Sequence, residues 1–347
     1  MRIKETVLNS ERNVKLTAYI QDVGGELGNI AARPAVMVFP GGGYYYCSDR
    51  EADPVAVEFL RAGFQVFILR YTTKKSFADW KWDMPMQDYE QAIKHIDDHA
   101  EEYLTDKSRI AVCGFSAGGH LAAYIATTAK RRPAAALLGY AALYGKTCDA
   151  LLPGEAYPAD LVDGKTCPCF LFAARDDSVV DIESSIRFQQ ALKDKSVNFE
   201  AHVYSFGNHA FTCGEKLMCG ADVNSRINKW TSDAIDWLGE VWGEFTATGF
   251  TEPKFERALN ENLAEYLSVK CTMEHLQKQS QEVLDIVNEP IQKVQIMFAQ
   301  SKLSPEQVVT LIAHGFMFRD ILKVQNYTDE QIDEIDAKLK QIPNKIQ

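Results

Sequence analysis

Arg109-Ile110-Ala111-Val112-Cys113-Gly114-Phe115-Ser116-Ala117-Gly118 joins two kinds of structure at one point. The apolar run 109–113 predicts a buried strand, and Gly119-His120-Leu121-Ala122-Ala123-Tyr124-Ile125-Ala126 predicts a helix. Between them, Gly114-Phe115-Ser116-Ala117-Gly118 is a G-x-S-x-G at a strand-to-helix turn, the setting in which a serine hydroxyl is presented as a nucleophile. The glycines two before and two after the serine let neighbouring backbone pass close by. The pentapeptide alone turns up by chance in about one chain of this length in ten. Its weight comes from its placement and from the partners that follow it.

Outward from this turn, strands and helices alternate. Residues 3–8 and 14–20 alternate apolar and polar side chains and predict an antiparallel pair at a sheet edge. Strands follow at 34–39, 64–71, 109–113, 135–143, 170–174 and 199–206, and helices at 54–62, 86–103, 182–194 and 225–243. Runs such as Pro34-Ala35-Val36-Met37-Val38-Phe39 are apolar on both faces, as strands of a helix-covered parallel sheet are. Residues 145–166 lack a clear period and read as a loop. The expectation is an α/β chain with a mostly parallel, eight-stranded sheet flanked by helices. In such sheets chemistry sits at the carboxyl ends of the strands.

Serine needs a base, and the base needs a carboxylate to orient it. Strand 170–174 runs into Arg175-Asp176-Asp177-Ser178, and strand 199–206 into Gly207-Asn208-His209-Ala210. The order serine, acid, histidine along the chain and the placement at strand ends give a candidate triad of Ser116, Asp177 and His209, with Asp176 as the competing acid. Backbone amides must also receive the oxyanion of a tetrahedral intermediate. The candidates are Ala117, directly after the serine, and the triple glycine Gly41-Gly42-Gly43 that ends strand 34–39. Histidines 95, 99, 202, 275 and 314 lie on predicted helices or in a strand and read as surface or packing positions. His120 reads as a local packing or hydrogen-bonding residue.

Composition bounds the partners. The 347 residues carry a formal net charge of -11, which argues against a nucleic-acid or anionic-membrane surface. The first dozen residues contain no apolar core of a signal peptide, and no apolar run reaches membrane-spanning length. The eight cysteines then read as reduced thiols in a cytoplasmic protein, with Cys113 and Cys169 in the core. Cys167-Pro168-Cys169 has no second pair at metal spacing, so neither metal nor cofactor is expected.

Four stretches resemble a known family: Phe39-Pro40-Gly41-Gly42-Gly43-Tyr44 with Ser48-Asp49-Arg50-Glu51, Gly114–Leu121, Ala174–Val180 and Gly207–Phe211. Over residues 14–243 the chain resembles α/β-hydrolase esterases of the hormone-sensitive-lipase-like type, nearest the bacterial acetyl-xylan-esterase-like carbohydrate esterases. The resemblance implies Ser116 as nucleophile, His209 as base, Asp177 as acid, and Gly42, Gly43 and Ala117 as oxyanion donors. Pro40 departs from the histidine that many relatives carry before the triple glycine. The short 145–166 segment leaves no room for a large lid, which points to small acyl groups, an acetyl ester above all. Tyr44, Tyr45, Trp80 and Trp82 then offer a sugar-stacking wall, with packing in the core as the alternative.

After Gly249-Phe250-Thr251-Glu252-Pro253 strand signals stop. Phe255, Leu259, Leu263, Tyr266 and Leu267, then Leu276, Val283, Leu284 and Val287, recur at helical spacing, and Ser304-Pro305-Glu306-Gln307 and Thr328-Asp329-Glu330-Gln331 are helix starts, with Gly315 closing the first. The division expected is a catalytic domain over 1–245 and a helical appendage over 250–347, packed on the first or serving homo-oligomerisation. The function expected is a serine esterase acting on a small-molecule ester. Its alternatives are a peptidase of prolyl-oligopeptidase type, which lacks its large N-terminal domain here, and a binding protein on a hydrolase scaffold.

Overall fold

The chain enters its sheet through an antiparallel hairpin, β1 (Arg2–Asn9) and β2 (Val14–Ile20), and then crosses to β3 (Arg33–Phe39). There follow α1 (Asp53–Arg61), β4 (Gln65–Arg70), α2 (Asp83–Asp98), β5 (Thr105–Phe115), α3 (Ala117–Thr128) and β6 (Ala135–Gly139). The series ends with α4 (Lys146–Leu151), β7 (Cys169–Ala174), α5 (Glu183–Asp194), β8 (Phe199–Tyr204), α6 (Trp230–Trp242) and a small hairpin of β9 (Phe245–Thr246) and β10 (Gly249–Phe250). This computed structural model describes residues 1–347 except 27, 216–225, 254–264, 299–303, 305–306, 308–316 and 346–347. Two compact units, Met1–Ala258 and Leu259–Gln347, divide it.

The first unit is built on one eight-stranded sheet in the order β1-β2-β4-β3-β5-β6-β7-β8. Pairs from β4 onward are parallel, and the β1, β2 edge is antiparallel. Every residue of β3 and β7 is buried, because helices cover both faces. Along β3, Ala35, Met37 and Phe39 face one apolar layer with α2 and α3, while Val36 and Val38 face the other with α1 and α6. Register places the chemistry. Phe39 pairs with Gly114, so the glycine loop leaves the sheet beside the serine turn, and Ala174 pairs with Tyr204, so the loops bearing Asp177 and His209 leave it together.

Element ends depart from the sequence expectations where the backbone turns left-handed. The second helix stops at Asp98 rather than 103, before a turn in which Leu104 has φ +51°, and β6 stops at Gly139 because Tyr140 has φ +33°. The segment 145–166 is not a bare loop: it holds α4 and a 3₁₀ turn at Pro158–Leu161. Tyr124 Oη donates to the Ala156 carbonyl at 3.0 Å and Ala159 N–H to the Leu143 carbonyl at 3.1 Å, which pins the segment to the sheet side.

The second unit contains α7 (Met273–Gln277), α8 (Gln281–Phe298), α9 (Phe318–Val324) and α10 (Asp329–Leu339), around Leu267, Met273, Leu276, Val283, Phe318 and Leu322. Thr328 and Gln331 close the expected capping box, and Ser304 and Gln307 exchange the same pair of bonds. Tyr266 and Leu267 are not helical: Tyr266 bridges Pro343, and Leu267 N–H donates to the Ile342 carbonyl. Phe255, Leu259, Leu263, His314 and Gly315 lie outside the described residues. Among the described residues, no helix is long and apolar enough to cross a membrane.

Candidate active site

Ser116 stands between β5 and α3 at φ +52°, ψ −118°, a conformation that costs an L-residue on the order of 1–3 kcal/mol. The turn closes because Gly114 and Gly118 are bare: a Cβ on Gly114 would lie 2.2 Å from the Gly118 carbonyl oxygen, and one on Gly118 2.2 Å from that of Phe39. Ser116 N–H donates to the Gly139 carbonyl at 3.0 Å, and its own carbonyl accepts the His120 amide at 2.9 Å. The serine is thereby fixed from below by β6 and from behind by α3.

His209 Nε2 lies 2.9 Å from Ser116 Oγ, and His209 Nδ1 lies 2.7 Å from Asp177 Oδ2. The Asp177 side chain is 1% exposed, and that of His209 14%. Asp177 Oδ1 accepts the amides of Val179 and Val180, both at 2.9 Å, so the carboxylate cannot turn away from the imidazole. Asp176 takes another part. Its Oδ1 accepts the amides of Gly207 and Asn208 at 2.9 and 3.0 Å, holding the loop that carries His209. Asn208 Oδ1 in turn accepts the amide and hydroxyl of Ser178. The structure thus brings Ser116, His209 and Asp177 into one line and leaves Asp176 beside it.

Gly42 and Gly43 follow at φ +125° and +62°. Gly42 turns its carbonyl to accept the amides of Tyr45 and Tyr46, and among the described residues no acceptor engages the amides of Gly42 and Gly43. Ala117 is the first residue of α3, where the amide has no partner within the helix. The glycine loop and the serine turn leave the sheet side by side, because Phe39 of β3 pairs with Gly114 of β5.

Of the two readings of the aromatic residues, wall or core, Tyr44 takes the core. Tyr44 is fully buried, its hydroxyl 2.9 Å from His120 Nδ1, and its ring packs against Tyr71, Trp80, Trp82 and His120. Its place is the core. Trp80 and Trp82 are half-buried members of the same cluster, with Trp80 Nε1 donating to the Thr72 carbonyl and Trp82 edge-on to Tyr124. They brace the glycine loop from behind. The exposed rings there are Tyr45 and Tyr46, 60% and 50% accessible. His120 itself is sealed in, and burial pushes its imidazole down to about 3, so it is neutral in the folded chain.

Sequence reasoning gave no role to Glu51 and Tyr140. Glu51 Oε2 accepts the Gly41 amide at 2.7 Å, and its Oε1 accepts the Tyr140 hydroxyl at 2.6 Å. Burial raises the Glu51 carboxyl above its ordinary range and drives the Tyr140 phenol well above its own. Glu51, two positions before α1, carried no signal in the sequence beyond its place in the family-like stretch.

The chain has known counterparts. Residues 27–138 match a family model described as BD-FAE. The chain is 35% identical to MGS-M1, an alpha/beta hydrolase enzyme from a Medee basin deep-sea metagenome library, with TM-score 0.64, covering 69% of this chain and 97% of that one. The chain belongs to the α/β-hydrolase family. It is also 28% identical to an acetyl ester-xyloside bifunctional hydrolase from Caldicellulosiruptor lactoaceticus, with TM-score 0.56, covering 65% of this chain and 87% of that one. An acetylxylan esterase from Xylanibacter ruminicola is 25% identical over 202 residues, 52% of this chain and 41% of the esterase. The chain spans less than half the length of the curated relatives it matches.

Proposed function

We propose that this α/β-hydrolase is a serine carboxylesterase that removes short acyl groups, acetyl above all, from hydroxylated substrates such as acetylated sugars or xylo-oligosaccharides. The observation that carries this reading is the single imidazole bonded to Ser116 Oγ on one side and to the buried Asp177 carboxylate on the other. His209 takes the Ser116 proton as Oγ adds to the ester carbonyl, and Asp177 stabilises the imidazolium. The amides of Gly42, Gly43 and Ala117 receive the oxyanion. His209 then protonates the leaving alcohol, and a water deprotonated by the same nitrogen hydrolyses the acyl-enzyme.

The substrate class rests on two supports. Residues 145–166 are pinned to the body of the domain by Tyr124, Ala159 and the Thr147 hydroxyl, which donates to the Val179 carbonyl at 2.7 Å. A segment held this way supports a short-acyl site over one closed by a large mobile lid. The similar proteins from Caldicellulosiruptor and Xylanibacter are named for acetyl ester and acetylxylan hydrolysis. Initial rates on p-nitrophenyl acetate, butyrate and octanoate, with acetate release from acetylated xylo-oligosaccharides, test the reading against Ser116→Ala. Rates falling with acyl length and lost in the variant are expected. A wild type that neither turns over acetate esters nor labels with a fluorophosphonate would sink it.

A further inference from the structure

One buried carboxylate, Glu51, bonds the glycine loop and the residue after β6 directly, and reaches the histidine loop through the second of these. Gly41 opens the glycine loop, and its amide donates to Glu51 Oε2 at 2.7 Å. Tyr140 follows β6, beside the serine, and its hydroxyl donates to Glu51 Oε1 at 2.6 Å. The Tyr140 oxygen accepts the amide of Thr212 at 3.3 Å, three residues past His209. The Thr212 carbonyl in turn accepts from Trp230 Nε1 at 2.7 Å. The Tyr140 ring also packs edge-on to the His209 ring, centroids 5.0 Å apart.

Glu51 is 3% exposed, and both its oxygens are occupied by donors, the pattern of an ionised carboxylate. A Cβ on Gly41 would lie 2.8 Å from Glu51 Oε2 and 3.1 Å from Ser116 Cβ, so the carboxylate and the serine flank the same backbone step. Other groups whose charge bears on Glu51 are His209 and Arg50, and Tyr71 and Cys113 feel it in return.

We propose that Glu51 is a positioning residue that sets the glycine loop and the histidine loop in register, acting on Gly41 directly and on Thr212 and His209 through Tyr140. This rests on the esterase reading. Among the described residues Glu51 has no ion-pair partner, and a buried charge of that kind is a costly way to fix a loop for stability alone. Here it is bonded to the ring that packs edge-on against the His209 imidazole, so its position is tied to that of the base.

The test compares full-length wild type, Glu51→Gln and Tyr140→Phe on p-nitrophenyl acetate, with fluorophosphonate labelling rates and thermal melts. Glu51→Gln keeps the shape but puts an NH₂ against one of two donors. Its kcat is expected to fall about 10- to 100-fold with KM little changed, as for a displaced oxyanion donor. Tyr140→Phe cuts the link to Thr212 and leaves the Gly41 bond, so kcat falls less, with KM again little changed. Wild-type kcat in Glu51→Gln would overturn the proposal, as would a loss that only tracks unfolding. If Glu51→Gln does not fold, wild-type kcat in Tyr140→Phe overturns it. An inert wild type, unlabelled by the probe, would overturn the esterase reading and this proposal with it.

Discussion

Replacing Asp177 by Asn separates the two neighbouring carboxylates. Asp177 Oδ1 accepts the amides of Val179 and Val180, so the side-chain oxygen of an Asn is held there and its NH₂ is forced toward His209 Nδ1. Facing a donor, Nδ1 must give up its proton, which moves to Nε2. The nitrogen 2.9 Å from Ser116 Oγ then donates where it should accept, and the serine keeps its proton. The charge-assisted bond lost is worth roughly 1.5–3 kcal/mol, and the wrong tautomer adds to that. A fall in kcat of about 10³ to 10⁴, or roughly 4–5.5 kcal/mol of barrier, is expected. Asp176→Asn is the internal control. Its Oδ1 accepts two amides, a task an Asn oxygen performs equally well, so less than about a tenfold loss is expected. Steady-state rates on p-nitrophenyl acetate, with circular dichroism to confirm folding, read both variants. An Asp177→Asn enzyme within about tenfold of wild type, or an Asp176→Asn enzyme more impaired than it, would refute the assignment of the acid and the tautomer argument together.

Other perturbations follow from the same geometry. Gly42→Ala sets a Cβ 2.2 Å from the Tyr46 carbonyl oxygen at φ +125°, so the loop must shift, and kcat should drop by about 10² or more. Gly43→Ala meets nothing within 4 Å and bears only the left-handed cost of about 1–2 kcal/mol, so its melting point should fall more than its rate. His120 has its folded pKa lowered from 6.5 to about 3, so below pH 6.5 the unfolded chain takes up a proton the folded chain refuses. Its contribution is intact above 6.5 and is lost at about 1.4 kcal/mol per unit as pH falls toward 3, and urea titrations of His120→Gln should show a shallower acid decline than wild type. Arg12→Ala removes the guanidinium 2.8 Å from Asp88, whose side chain is wholly buried, and should cost about 3 kcal/mol or more in chemical denaturation. A change under about 1 kcal/mol would mean that the bonds from Thr72 suffice for Asp88.

The sheet was legible because its signals are local. Each buried strand is a short apolar run, and parallel pairing needs nothing from the sequence beyond such runs alternating with helices. The serine turn was legible because steric demand leaves glycine at 114 and 118. Asp177 was chosen over Asp176 on the family resemblance, and the residues by themselves left Asp176 as a competitor. Both stand after the same strand, and what divides them is which backbone amides fold back onto each. The aromatic residues were ambiguous for a related reason. Wall and core use the same side chains, and what decides is that Tyr44 at φ +59° turns inward and seats its hydroxyl on His120, leaving Tyr45 and Tyr46 outside. In the second unit, apolar spacing at Tyr266 and Leu267 marked burial correctly for Leu267 but not the backbone, which pairs with the segment at Ile342 and Pro343.

What the residues do not announce is concentrated at one place. Ten non-glycine residues have positive φ among those described, and Tyr44, Ser116, Tyr140, Asn208, Ala210 and Thr212, six of the ten, belong to the loops of the site. Each disobeys its local preference by on the order of 1–3 kcal/mol, so local propensity cannot predict them. They persist because tertiary bonds over-determine each turn: Asp176 holds Asn208, Tyr140 holds Thr212, and Glu51 holds Tyr140. Since strain is affordable only where such bonds exist, their loss should release the loops before it unfolds the sheet. Hydrogen exchange at the 207–213 amides should therefore rise in Tyr140→Phe while the amides of β3 and β5 stay protected. Uniform exchange across both sets would mean that the strain is held by the sheet itself, and that the Glu51 network is an ornament of the fold.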